Sequence, residues 1–284
     1  MIGMALFAVL MSVNFASCST DDNDPTDEED SLINQPNGEK KLIRVVYYDV
    51  EDTREELEGI VEFSYDEQGR LIEVLEKDAD GDSYSYKYVW DSNKSITFYW
   101  DEDTYTKYSL SDGKIDYVYE RGYSYHTGER ELDEDFYRLS YDSDGHLIEY
   151  WTKYNEGNEY ELENKLIWNN GKLTMIEEEQ GLTTFRYDNQ TSKGFLPLLV
   201  DYIETDICED YLFAAQPELV GVKMPHLPSK IIDGSSTISF EYELEEGYVT
   251  SCSVNEYESY DHDYNGDGQK DYHSYDYYYE FVWE

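Results

Sequence analysis

The sequence predicts an all-β protein: an antiparallel meander forming a soluble barrel or strongly curved sheet, with one proline-containing loop and short-helix insertion packed on or in it. Three observations carry this expectation. Strand-like runs alternate with Gly/Asp/Asn turns from Lys41 to Asp188. The runs have period two, with one apolar face, as in Ile238, Phe240, Tyr242 and Leu244 set against Thr237, Ser239, Glu241 and Glu243. Strong β-formers dominate, and no proline occurs between Lys41 and Phe195.

The chain opens on an uncharged, mostly apolar leader, residues 1–17. Its run Met4–Val13 is too short for a bilayer, which takes about 20 residues, and suits a signal-peptide core. No Lys or Arg precedes that run, which points to a start codon upstream. Phe15-Ala16-Ser17-Cys18 reads as a lipobox, with Cys18 the residue to be acylated. One acyl chain anchors only marginally, and two or three make a stable anchor. Residues 18–40 then form the lipidated cysteine and an acidic spacer. Ser19 to Lys40 holds eight acids, one lysine and two prolines, a composition that cannot collapse into a core. Residues 41–284 remain as a single β domain.

Charge narrows the partners. With 21 Lys and Arg against 65 Asp and Glu, the net charge is −44. Such a chain repels phosphate backbones and anionic lipid heads, so no nucleic-acid partner is expected and only the N-terminal lipid should hold the membrane. Thirty-one Tyr, ten Phe and five Trp supply the apolar area for a core despite the acidity.

Within the β domain the turns repeat a motif: Gly69-Arg70-Leu71, Gly113-Lys114-Ile115, Gly145-His146-Leu147 and Gly171-Lys172-Leu173. Glycine enters the left-handed region at the reversal without steric cost. Glycine spacings of 44, 32 and 26 residues exclude a strict solenoid. One run is expected to place Tyr160, Leu162, Leu166 and Trp168 on one face and Glu159, Glu161, Glu163 and Lys165 on the other. Tyr84, Tyr86, Tyr88 and Trp90 read as a core face, with sugar stacking the alternative.

An interruption spans about 190–231, with four of the six prolines and an apolar cluster around Phe195, Leu199, Leu212 and Phe213. Asp201 to Ala215 could hold a short helix. A hydrophobic segment of this kind should pack on the concave face of the sheet as a plug or cap.

Alternation alone does not separate a soluble barrel from a lipid-facing one. The last run, Tyr277, Tyr279, Phe281 and Trp283, resembles the closing strand of outer-membrane barrels. Against insertion, Glu73 interrupts a would-be lipid face between Leu71 and Leu75, several strands are short, and a lipid anchor would be redundant.

Asp263-Tyr264-Asn265-Gly266-Asp267-Gly268-Gln269-Lys270-Asp271 fits the first part of a calcium loop, so Asp263, Asn265, Asp267, Gln269 and Asp271 are candidate calcium ligands. Position twelve, normally a bidentate Glu, is Ser274, which weakens the site; a plain acidic hairpin loop is the other reading. Asp78, Asp80 and Asp82 around Gly81 form a poorer copy. Cys208 and Cys252 are either a disulfide or two buried thiols. The five histidines show no ligand spacing, and no catalytic constellation stands out, so no enzymatic activity and no required cofactor are expected.

Tyr65-Asp66-Glu67-Gln68-Gly69-Arg70-Leu71 and Tyr141-Asp142-Ser143-Asp144-Gly145-His146-Leu147 resemble the YD repeat of large secreted β-proteins. With the lipid cysteine, the acidic spacer and the interruption bearing Leu196-Pro197 and Leu227-Pro228, the chain is similar to Bacteroidetes-type lipoproteins of unknown function with a porin-like fold. Ser19-Thr20-Asp21-Asp22-Asn23-Asp24 resembles the surface-export signal of that group. The resemblance implies an outer-membrane lipoprotein displayed at the cell surface, with a structural or binding role and no catalytic residues. A glycan or a cell-surface protein is the expected partner class, with glycan processing and a membrane-spanning barrel as alternatives.

Overall fold

The computed structural model describes residues 40–51, 54–100, 103–124, 131–154, 159–178, 181–194, 199, 211–259 and 272–284. All of them belong to one compact unit, Gln35–Glu284. Sixteen antiparallel strands run in chain order. They are β1 (Leu42–Glu51), β2 (Arg54–Tyr65), β3 (Leu71–Asp78), β4 (Ser83–Ser92), β5 (Ser95–Tyr99), β6 (Tyr105–Ser111), β7 (Lys114–Ser124) and β8 (Glu131–Tyr141). They continue as β9 (Leu147–Lys153), β10 (Glu161–Asn169), β11 (Lys172–Glu178), β12 (Leu182–Thr191), β13 (His226–Asp233), β14 (Ser236–Glu245), β15 (Tyr248–Ser259) and β16 (Tyr272–Trp283). Each strand pairs with its sequence neighbours, and β16 pairs back with β1, closing a barrel. Closure leaves no sheet edge unpaired.

The apolar alternation turns inward. Val45, Val61, Phe63, Val74, Tyr88, Phe98, Tyr108, Val118, Tyr137, Tyr150, Leu166, Ile176, Phe185, Ile231, Ile238 and Val254 are buried in one core cluster. The expected insertion supplies the centre. Helix α1 (Tyr211–Ala215), a 3-10 turn at Pro217–Leu219 and the stretch to Leu227 bury Leu212, Phe213, Leu219, Val220, Val222, Met224 and Leu227 in that cluster, together with Leu199. The Phe213 ring meets Tyr108 edge-on at 5.8 Å, and Tyr211 meets Phe63 and Tyr86. Two hydrogen bonds fix the plug: Leu71 N donates to the Gln216 side-chain Oε1 at 2.9 Å, and Leu147 N to the Gly221 carbonyl at 3.1 Å.

Bulges correct two facings that simple alternation predicts. At Leu162/Asn164 the ladder with β9 slips by one residue. Leu162 therefore lies opposite Trp151 on the outer face and is 42% exposed, while Asn164 turns inward with Leu166 and Trp168. At Ser64/Tyr65 a slip puts Leu71 inside, so Leu75 shares the outer face with Glu73 instead of sharing a face with Leu71. One extra residue changes the side to which every following side chain points. The apolar face of β16 turns to the core through Tyr277, Tyr279 and Phe281. Tyr86, Tyr88 and Trp90 do line the core, whereas Tyr84 at the end of the same row is 53% exposed.

Candidate functional site

Strand parity gives the barrel two unlike ends. One end gathers the glycine turns and the insertion. There a single unit recurs. An aromatic side chain near the end of one strand donates a hydrogen bond to the first aliphatic carbonyl of the strand before it. Trp90 donates to Leu71 O at 2.9 Å, Trp168 to Leu147 O at 2.7 Å, Tyr187 to Leu173 O at 2.6 Å and Tyr65 to Leu42 O at 2.8 Å. Tyr141 donates in the same way to Ile115 O, and Trp283 to Val249 O. The basic residue of each turn covers that ring: Arg70 on Trp90, Lys114 on Tyr141, Lys172 on Tyr187 and Lys41 on Tyr65, at 4.7–5.9 Å, with His146 stacked on Trp168 at 4.4 Å. This explains the Arg or Lys after the glycine as a cation lying on a ring that is itself hydrogen-bonded, with the His146 ring stacking in the same place. The turn motif is legible in the chain; the ring it serves, far along the chain, is not.

The Tyr-Asp aspartates cap two of these turns. Asp66 Oδ1 accepts from Gln68 N and Arg70 N, and Asp66 Oδ2 accepts from the Arg70 guanidinium at 2.7 Å. Partial burial opposes ionisation, but the Arg70 bonds outweigh it and hold Asp66 below the usual carboxylate range. Asp142 repeats this with Asp144 N and His146, and its carboxyl is likewise held low. Asp142, Asp144 and His146 stand close enough together to hold an ion, yet the Asp142 oxygens already serve the turn.

At the other end the inner wall changes character. Cross-strand partners share a face, so the register traces the wall. Beyond Val61 and Val74 come Gly59, Glu76, Asp78 and Tyr84. Beyond Val118 and Tyr137 come Glu120, Asp135, Gly122 and Asp133. Beyond Ile176 and Ile231 come Glu178, Thr183 and Asp233, then Ser236, Glu256, Glu258, His273 and Tyr275. Asp49 and Tyr277 complete the ring beside β1. Every Lys and Arg on a described strand points outward except Arg54, which lies at the rim beside Glu56.

Aromatic side chains floor this half. The α1 residue Tyr211 reaches down to Glu76, which also accepts from Tyr86 Oη at 3.1 Å. Trp100 packs on Phe98 and Tyr86 while 59% exposed, and Tyr84 stands beside them. Burial and the Glu76 carboxylate push the Tyr86 phenol up to about 12. Tyr211 rises for the same two reasons. Burial, then Glu76, Glu58 and Asp78, raise Tyr47; burial, then Glu256 and Asp49, raise Tyr277. The carboxyl of Glu256 is raised by burial and by Glu258. Phenols beside carboxyl groups make a wall of donors and acceptors around exposed rings.

The predicted sites stand apart from this wall. Cys18 and the loop residues Asp263, Asn265, Asp267, Gln269 and Asp271 lie outside the described residues, as does Cys208. Ser274, at the twelfth loop position, is a β16 residue whose hydroxyl accepts from Asn255 at 3.0 Å. Cys252 is a fully buried free thiol, and burial pushes it up to about 12. Asp78 and Asp82 form a turn of their own, Asp82 N donating to Asp78 Oδ1 at 2.8 Å.

Comparisons with known proteins bear on the fold. No protein-family model matches the chain, and no curated protein matches it. Among solved structures, a porin-like protein from Bacteroides uniformis ATCC 8492 is similar with a TM-score of 0.62 at 15% identity, over 86% of this chain and 96% of that one. A porin-like protein from Bacteroides vulgatus ATCC 8482 is similar with a TM-score of 0.54 at 14% identity, over 86% of this chain and 99% of that one. At such identity the likeness is one of fold: this chain is a closed β-barrel of the kind those porin-like proteins have.

Proposed function

We propose that this is a lipid-anchored envelope protein, displayed at the cell surface, whose barrel stands in water and serves a non-enzymatic binding role. The observation that carries the reading is the polarity of the barrel. A spanning barrel turns an apolar band outward and keeps a polar lumen. Here the apolar face wraps an apolar plug, and Lys87, Lys107, Arg121, Arg138, Lys153 and Lys165 point outward from β4 to β10. Each cation near a bilayer midplane costs about 2–4 kcal/mol. With the plug in the lumen, the porin-like fold has no use here as a conduit, and Cys18 supplies the membrane attachment.

The acidic, tyrosine-lined half of the lumen is the place for a ligand. Trp100 and Tyr84 offer exposed rings beside Glu76 and Tyr86, the combination that holds a polyhydroxylated or amine-bearing molecule by stacking and hydrogen bonds. A calcium ion in the Asp263–Asp271 loop belongs to the same reading, and chelation by EDTA should lower the melting temperature if that ion is bound.

Two measurements test the proposal. Intact mass spectrometry of the native product should find diacyl or triacyl Cys18 at the N-terminus. A Cys18→Ser chain should leave the membrane fraction, stay monomeric without detergent and give no conductance in a planar bilayer. Ion conductance, or a need for detergent, would reject the water-facing barrel.

A further inference from the structure

The outer face of β5 to β9 departs from the rest of this acidic chain. Lys107, Tyr119, Phe136 and Lys153 lie side by side across β6, β7, β8 and β9. One row further along, Tyr99 and Tyr105 lead to Arg121, and on the other side Tyr117, Arg138 and Trp151 form a parallel row. The rings make a continuous ladder. Tyr99 to Tyr105, Tyr105 to Tyr119 and Tyr119 to Phe136 are 6.2, 5.8 and 5.4 Å apart between centroids. Cations lie over the rings at its far edge, Lys153 on Phe136 and Arg138 on the neighbouring Tyr160 at 4.1 Å.

The charge of this face is the informative part. The chain carries about three acids for every base, 65 against 21. Some strand cations find them, as Lys77 does Glu62 at 2.5 Å and Lys165 does Glu177 at 3.5 Å; others among the described residues, such as Arg44, Lys87, Arg186 and Lys230, stand singly or in pairs without one. Among the described residues, Lys107, Arg121, Arg138 and Lys153 form no ion pair with a carboxylate. Glu134, directly across from Arg121, accepts the Tyr119 hydroxyl at 2.7 Å instead. What sets this face apart is the clustering: four such cations stand together on adjoining strands among aromatic rings.

We propose that this face binds an anionic polysaccharide, with sugar rings lying on the Tyr99–Phe136 ladder and their carboxylates or sulfates meeting Lys107, Arg121, Arg138 and Lys153. Charge complementarity selects the class. A polyanion is repelled by the chain as a whole and can settle only where the local sign is reversed. The rings recur every 5.4–6.2 Å from strand to strand, which suits a polymer of repeating units better than a single small anion. A saccharide is favoured over nucleic acid because the ladder rings tilt at 45–57° to one another, leaving no parallel slots for bases. The surface is distinct from the acidic half of the lumen, so it stands or falls independently of the function proposed above.

The test uses the full processed protein in mild detergent over immobilised polygalacturonate, heparin-type sulfated glycan, neutral dextran and poly(dT). Binding to one of the two acidic glycans, absent on dextran and weakened by salt, is expected. The double variant Lys107→Glu/Arg138→Glu should weaken it about tenfold or more with an unchanged melting temperature. If that variant does not fold, Lys107→Gln/Lys153→Gln replaces it and should weaken binding in the same direction. No retention on either acidic glycan, wild-type binding by a folded variant, or equal binding to poly(dT) would each overturn the proposal.

Discussion

A turn residue in this barrel is seldom there for the turn alone. Arg70 closes the Asp66 cap with one edge of its guanidinium and lies on Trp90 with its face, while Trp90 holds the Leu71 carbonyl. Asp66 is therefore ionised at lower pH in the fold than in the unfolded chain. A depressed acid stabilises the fold fully above its unfolded value, and that contribution fades as pH falls through the folded one. Asp66→Asn should cost about 1 kcal/mol at pH 7 in urea unfolding, and the difference from wild type should shrink as pH drops below about 4. Cys252 gives a second prediction. A buried thiol with its ionisation pushed up to about 12 is almost wholly protonated at pH 8, so a thiol reagent should label it only when urea opens the barrel. The Gly-basic-aliphatic and Tyr-Asp signals were both legible in the chain. The ring that each turn serves was not, because Trp90 lies 19 residues from the carbonyl it binds and Trp283 lies 34 from its own.

Strands and plug answer to different rules. Period two located the strands, and the run of apolar residues with prolines located the insertion. Facing is where the pattern failed, at Leu162 and at Leu75, because a bulge leaves no mark in hydrophobicity and reverses everything beyond it. The plug is held by shape as well as by burial. Gly221 has φ +65°, and a Cβ there would run into the Gly145 carbonyl oxygen of the β8–β9 turn. Gly221→Ala should therefore cost at least about 1–2 kcal/mol and loosen the bond from Leu147 N. Phe213→Ala, which empties the centre of the core, should cost about 3–5 kcal/mol. Both are read by denaturant melts, and the Phe213 variant should also expose tyrosine fluorescence to quenchers.

At the scale of the barrel, charge and closure decide behaviour. A net charge of −44 works against compactness, and carboxylates such as Glu256 and Glu258 stand side by side on the inner face of β15. Glu256 has a raised carboxyl, so protonation relieves the fold: stability should rise as pH falls through that group, until the depressed Asp66 and Asp142 reverse the trend. Screening acts in the same direction, and moving from about 10 mM to 150 mM salt should raise the melting temperature. The amino-acid sequence by itself determined the all-β class, the turn positions, the apolar insertion and the acidity, because these depend on local backbone preference and composition. Tertiary structure alone decided the sixteen-strand closure, the inward facing of the apolar side, the acidic half of the lumen and the basic aromatic face outside it. Those properties arise from register between strands, and register is a relation among residues far apart in the chain that no local pattern specifies.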